Sequence, residues 1–178
     1  MEIDLLIQLC KQKDEPAQME VYNRYHLATY HSALRIVQNR VDAEDVMQES
    51  FLTAFEKLEQ YKGGNKFGGW LKQITLRKAL HFCEKRNKQK TSPLEDNWYY
   101  VSEESSLDQD NAQAVQLQKA LNELRPRYRN ALLLMYFEGY DYDELCSILK
   151  LSYGSCRTLI SRAKEQLKQK LTVDELHG

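Results

Sequence analysis

The chain has 178 residues, 42% hydrophobic and 29% charged, enough for one domain with a full core or for two small ones. Its longest apolar run, Ala131 to Phe137, is far too short to cross a bilayer, and Met1-Glu2-Ile3-Asp4 is acidic where a secretory leader needs a basic start; a cytoplasmic protein with no membrane insertion is expected. The net charge of −1 hides a sorting: residues 1–65 hold 7 basic and 11 acidic side chains, 66–90 hold 8 and 1, 91–118 hold 0 and 6, and 119–170 hold 10 and 6, so local fields govern what a polyanion meets.

No proline or glycine lies between Pro16 and Gly63 and most residues there are good helix formers, which predicts helix with one break. The break falls at Asn39-Arg40-Val41-Asp42, where Asp42 is the expected N-cap of a helix carrying Glu44 and Asp45 in its first turn. On that helix Ala43, Met47, Phe51, Ala54, Phe55 and Leu58 line one side, and Asp45, Gln48, Glu49, Leu52 and Glu56 the other. A single leucine among acids on an exposed stripe suits a protein partner with an apolar pit and a basic rim. The alternatives are a merely solvated face, or a carboxylate metal site in a bundle, which would want a Glu-x-x-His pair that this stretch lacks.

Four of the seven glycines fall between Gly63 and Gly69 and mark a loop, after which Phe67 to about Lys88 reads as a long basic helix. Tyr61, Phe67 and Trp70 flank the loop, and Lys72, Arg77, Lys78, Lys85 and Arg86 form a basic track. Aromatic rings beside a glycine-rich loop suit an unstacked base, and a basic track suits the phosphates of a single strand. Phe67 and Trp70 also share helical spacing with Leu71 and Ile74, which favours the core for those two. Thr91 to Asp110 has no basic residue, one proline and several serines and reads as a flexible acidic linker.

From Asn111 a helical pattern resumes to Leu171, interrupted at Arg125-Pro126, at Gly139-Tyr140 and around Lys150 to Ser152. Asp141 is the expected cap of a short helix with Leu145, Ile148 and Leu149 facing inward, and Ser152 that of the next. Lys150 stands in the turn where a left-handed residue, usually glycine, belongs. In the last helix Cys156, Leu159, Ile160, Ala163, Leu167 and Leu171 form a packing stripe, which leaves Tyr153, Ser155, Arg157, Thr158, Ser161, Arg162 and Lys164 facing out. Hydroxyls and guanidinium groups on the second helix of a helix-turn-helix fit the major groove of DNA. An ordinary solvated surface helix is the alternative.

The sequence from Ala120 to Leu167, ALNELRPRYRNALLLMYFEGYDYDELCSILKLSYGSCRTLISRAKEQL, resembles region 4 of bacterial sigma factors of the extracytoplasmic function group, within the sigma-70 family. It departs from that pattern at Lys150 for Gly, Cys156 for a usual Val, and Leu159 for a common Arg. VDAEDVMQESFLTAFEKLEQY, Val41 to Tyr61, resembles the region 2 helix that grips core RNA polymerase. KFGGWLKQITLRKALHFCEKR, Lys66 to Arg86, resembles the loop and helix that melt and read the promoter minus-10 element, with Arg77 and His81 where the family usually has Asn and Asp. The resemblance implies an all-α chain of two small helical domains: region 2 over 1–90, a linker over 91–110, region 4 over 111–172 and a tail over 173–178.

It implies core polymerase contacts at Asp45, Gln48, Glu49, Leu52 and Glu56. Minus-10 contacts fall at Tyr61, Lys72, Arg77, Lys78, His81, Lys85 and Arg86, and minus-35 contacts at Tyr153, Ser155, Arg157, Thr158, Ser161, Arg162 and Lys164. The implied partners are core RNA polymerase, promoter DNA both as duplex and as melted strand, and an anti-sigma factor. No cofactor, metal or catalytic residue is expected. His26 and His31 are five apart, off the i,i+4 metal spacing, and no Ser/His/Asp set or phosphate loop occurs. The four cysteines, Cys10, Cys83, Cys146 and Cys156, form no CxxC pair and read as buried, reduced thiols. A helical adaptor that binds only proteins would leave the two basic blocks unexplained, and a repressor acting without core polymerase would leave the first domain idle.

Overall fold

The computed structural model describes residues 2–64, 66–89 and 111–175. The linker expected at 91–110 and the far end of the tail lie outside them. The described residues are helical, with no strand among them, and they divide into two compact units, the first up to residue 89 and the second from residue 111.

In the first unit, α1 (Ile3–Lys11), α2 (Glu15–Val37), α3 (Arg40–Glu56) and α4 (Phe67–Gln89) pack around one core. α1 carries an amphipathic spacing, Ile3, Leu6, Ile7 and Cys10 at i, i+3, i+4 and i+7, and its buried face is Leu6, Ile7 and Cys10. Asp14 caps α2 by accepting from the Ala17 N–H at 2.8 Å, with Pro16 in the first turn, where a missing N–H is harmless. α2 ends where Gln38 turns left-handed, at φ 55°.

The expected cap of α3 is corrected. Asn39 Oδ1 accepts from the Val41 and Asp42 N–H groups at 2.9 and 3.1 Å, so the helix begins three residues early. Asp42, freed from capping, takes Arg86 Nη1 on its Oδ2 at 2.9 Å. Phe67, Leu71, Leu76, Ala79 and Cys83 of α4 are buried, against α2 and α3.

The second unit comprises α5 (Asn111–Asn122), α6 (Pro126–Leu132), a π-helical turn (Leu133–Phe137), α7 (Tyr142–Leu149) and α8 (Tyr153–Glu175). Gly139, at φ 76°, closes the π turn. Asp141 caps α7 as expected, within a full capping box: its carboxylate accepts from Glu144 N at 2.8 Å, and the Glu144 carboxylate accepts from Asp141 N at 3.1 Å. Lys150 turns left-handed at φ 54° and the Leu151 N–H closes on the Cys146 carbonyl at 3.1 Å. Ser152 Oγ then accepts from Ser155 N at 3.3 Å, and α8 begins.

The seam holding α8 is Leu145 and Ile148 with Cys156, Leu159, Ile160 and Ala163, all buried, while Leu167 and Leu171 are half-buried. Each large apolar side chain there stabilises by roughly 1.5–3 kcal/mol, whereas an exposed ion pair contributes about 0–1 kcal/mol; packing, not charge, sets the pitch of α8. Two local changes probe the turn. Asp141→Ala should cost this unit about 1 kcal/mol through the lost cap. Lys150→Gly should stabilise it by a similar amount by relieving the left-handed residue. Thermal unfolding followed by circular dichroism should separate the variants by several degrees, in opposite directions from wild type.

Candidate functional site

Unit 1 carries two adjoining candidate surfaces, on α3 and α4, and unit 2 carries one on α8. On α3, Ala43, Val46, Met47, Ser50, Phe51 and Ala54 face the core, which turns Asp45, Gln48, Glu49, Leu52 and Glu56 outward, all exposed. Leu52 is 64% exposed, a large apolar side chain held in water among carboxylates. Val41, 69% exposed, continues this stripe one turn before Asp45; it was missed, although its i,i+4 spacing to Asp45 could have marked it.

The adjoining face belongs to α4. Arg77, His81 and Lys85 recur every fourth residue and are exposed, while Lys72, Lys78 and Arg86 are half-buried. Acids of α3 hold Lys78 and Arg86. Lys78 Nζ meets Glu49 Oε2 at 3.4 Å, and Arg86 bonds Asp42 and reaches the Val37 carbonyl at 3.5 Å. Arg86, expected among the strand contacts, is thus anchored between the end of α2 and the start of α3.

The aromatic group beside the glycine loop is more enclosed than its spacing suggested. Phe67 is fully buried and Tyr61 8% exposed, with ring centroids 5.5 Å apart and Trp70 at 5.7 Å from each. Tyr25 closes the far side, 5.3 Å from Phe67, and a Cβ at Gly68 would meet its ring at 3.0 Å. Burial, with the nearby Asp4 carboxylate, pushes the Tyr61 hydroxyl above its ordinary pKa. Tyr61, expected to offer a stacking face, packs its ring among these core aromatics, while Trp70 and Tyr25 are half-buried. Spacing alone does not separate an aromatic that borders a loop from one the loop folds over.

On α8, Tyr153, Ser155, Arg157, Thr158, Ser161, Arg162 and Lys164 are all exposed on the outer face, as the helical spacing predicts. Among the described residues neither Arg157 nor Arg162 has an ion-pair partner, so both guanidinium groups face solvent. Some hydroxyls are engaged locally: Thr158 donates to the Gly154 carbonyl at 3.0 Å, and Ser155 and Ser152 share a hydrogen bond of 2.9 Å. A shallow cleft of about 470 Å³ lies along this face. Its far wall is Tyr142, which spacing did not mark; its ring lies 5.6 Å from Tyr153. Lys164 Nζ sits 5.2 Å over the Tyr136 ring, and the neighbouring Tyr136 hydroxyl holds its pKa above the ordinary lysine value. Thus Lys164 leans toward its own unit, whereas Arg157 and Arg162 point away.

Cys10, Cys83 and Cys156 are buried free thiols; Cys146 is half-exposed. Burial, with the neighbouring Cys146 thiol, pushes Cys156 up to about 11, which makes it a poor nucleophile. Among the described residues no His, Cys, Asp and Glu side chains gather as a metal site, and no helix is long and apolar enough to cross a membrane.

What these surfaces can do is bind: α3 offers apolar side chains rimmed by acids, α4 a track of cations, and α8 cations and hydroxyls together. Residues 21–89 match the family model for Sigma-70 region 2, and residues 114–167 that for Sigma-70, region 4. The ECF RNA polymerase sigma factor SigE of Mycolicibacterium smegmatis is 31% identical over 160 residues, covering 88% of this chain and 62% of that protein's length. SigW of Bacillus subtilis, also an ECF RNA polymerase sigma factor, is 24% identical over 182 residues, covering 96% of this chain and 97% of its own. Among solved structures, the sigma factor RpoE of Bartonella quintana, crystallised with the anti-sigma factor NepR, superposes with a TM-score of 0.63 at 23% identity, over 88% of this chain and 97% of that one.

Proposed function

The chain belongs to the extracytoplasmic function group of the sigma-70 family, and from that footing we propose that it directs core RNA polymerase to specific promoters and starts transcription there. The carrying observation is the pairing, in one polypeptide, of an acidic stripe around exposed Leu52 with a helix-turn-helix whose Arg157 and Arg162 face solvent. An apolar centre with a charged rim is what a protein partner with a basic surface recognises, and arginines on the second helix of such a motif read base edges or phosphates.

The chain works by binding, not by catalysis. Unit 1 docks on the polymerase through α3 and meets the melted minus-10 strand through α4, and unit 2 meets the minus-35 duplex through α8. Its place is the cytoplasm, with the polymerase. The Bartonella protein was crystallised with an anti-sigma factor, and a protein of that kind is the proposed brake on this chain. A repressor working without polymerase would give unit 1 no task.

Run-off transcription tests the proposal. Purified bacterial core polymerase on genomic fragments should give discrete transcripts only when the chain is added. A transcript pattern identical with and without it would overturn the assignment.

A further inference from the structure

Ion pairs join α3 to α4 at Asp42–Arg86 and at Glu49–Lys78, and they differ in kind. Asp42 and Arg86 meet at 2.9 Å with only 24% and 29% of their side chains exposed, and Arg86 also donates to the Val37 carbonyl. That pair staples three helix ends together. Glu49 and Lys78 meet at 3.4 Å, and the Glu49 side chain is 66% exposed. Glu49 also stands in the outward stripe beside Leu52, and Lys78 in the basic track. One carboxylate thus belongs to two surfaces.

We propose that the Glu49–Lys78 pair is an autoinhibitory contact: in the free chain Glu49 occupies the ammonium that a strand phosphate needs, and docking of α3 on a basic partner surface withdraws Glu49 and releases Lys78. The inference rests on the reading that α3 docks on core polymerase and α4 takes the melted strand. Both ligands compete for one bond, so the coupling is reciprocal: strand binding at Lys78 frees Glu49 and favours docking. Its size is bounded by the pair. Exposed pairs of this type shift an equilibrium by no more than about fivefold, so this is a bias against premature strand binding rather than a lock. The Asp42–Arg86 pair stays closed throughout, because its partners are half-buried and Arg86 has a second acceptor.

The test uses the full chain and a short fluorescent single-stranded DNA carrying a minus-10 sequence, at low salt, free and with saturating core polymerase. Glu49→Gln should tighten strand binding by the free chain two- to fivefold. Glu44→Gln removes the same charge from an exposed position of α3 that makes no ion pair to α4 among the described residues, and should tighten it less. The gain from Glu49→Gln should vanish when Lys78→Gln is also present, and should vanish in the holoenzyme, where the polymerase already holds α3. Equal gains from Glu44→Gln and Glu49→Gln, or a gain that survives Lys78→Gln, would overturn the coupling while leaving the strand site standing. If Lys78→Gln alone left strand binding unchanged, both the coupling and the strand contact at Lys78 would fall.

Discussion

Leu52→Ala should weaken assembly with core RNA polymerase by about thirtyfold, while helix content and melting temperature stay at wild-type values. The two halves of this expectation have separate causes. Leu52 is 64% exposed in the free chain, so truncating it removes almost no buried contact, and exposed substitutions of that kind usually lie within about 0.5 kcal/mol of neutral. In a complex the same side chain sits at the middle of the stripe, and anchors at interface centres lose about 2 kcal/mol or more on truncation, which is a factor of thirty or so. The rim should behave differently. Reversing Asp45 together with Glu49 to lysine places cations opposite a basic surface, which slows association and inverts its salt response. Stopped-flow binding to labelled core polymerase separates the two: Leu52→Ala should raise the dissociation rate, and the double reversal should lower the association rate. Wild-type rates for both would remove α3 from the interface.

How much of this was legible beforehand depended on the range over which each feature is encoded. The helix-turn-helix was readable because its signals are local: Asp141 and Glu144 three residues apart, Ser152 before a helical stripe, and a lone Lys150 at the turn all act within one turn of helix. The inward and outward faces of α3 followed from its periodicity in the same way. The start of α3 was misread because Asn39 and Asp42 are both good caps, and the tertiary pull of Arg86 on Asp42 settles which one serves. α1 went unread although Ile3, Leu6, Ile7 and Cys10 recur at i, i+3, i+4 and i+7, the spacing that buries Leu6, Ile7 and Cys10 against the other helices.

The basic track shows the limit most plainly. Lys72, Arg77, Lys78, His81, Lys85 and Arg86 read alike as a charge run, yet the fold separates them. Arg86 is tied into a half-buried pair, Lys78 is shared with Glu49, and the side chains of Arg77, His81 and Lys85 are exposed. Tyr61 divides from that set for a related reason: packing on Phe67 and Trp70 is a contact between segments the chain separates with a glycine loop. Charge and aromaticity locate a candidate surface in sequence, but pairing across helices decides which members are available to a ligand.

Arg157→Ala and Arg162→Ala should each cut binding to a matched minus-35 duplex, by roughly 5- to 150-fold if the arginine grips a base, from the 1–3 kcal/mol a lost bidentate contact removes. Both guanidinium groups are solvent-facing on the first three turns of α8, and neither is held by an acid among the described residues, so neither must break an internal pair before it meets DNA. The pattern of loss then separates base from phosphate contact. An arginine bidentate to guanine loses discrimination at one base pair, leaving binding to other sequences nearly unchanged. An arginine on phosphate weakens all sequences together and reduces the salt slope by about one. Lys164 should show the smaller effect of the three cations, because its ammonium already lies over the Tyr136 ring and has to leave that contact to reach a phosphate. Footprinting of holoenzyme carrying each variant on a cognate promoter, with titrations against single-base changes across the minus-35 element at several salt concentrations, distinguishes these outcomes. Undiminished protection with both arginines replaced would move duplex recognition off the outer face of α8, since no other described residue on that helix combines its exposure with a planar, bidentate donor.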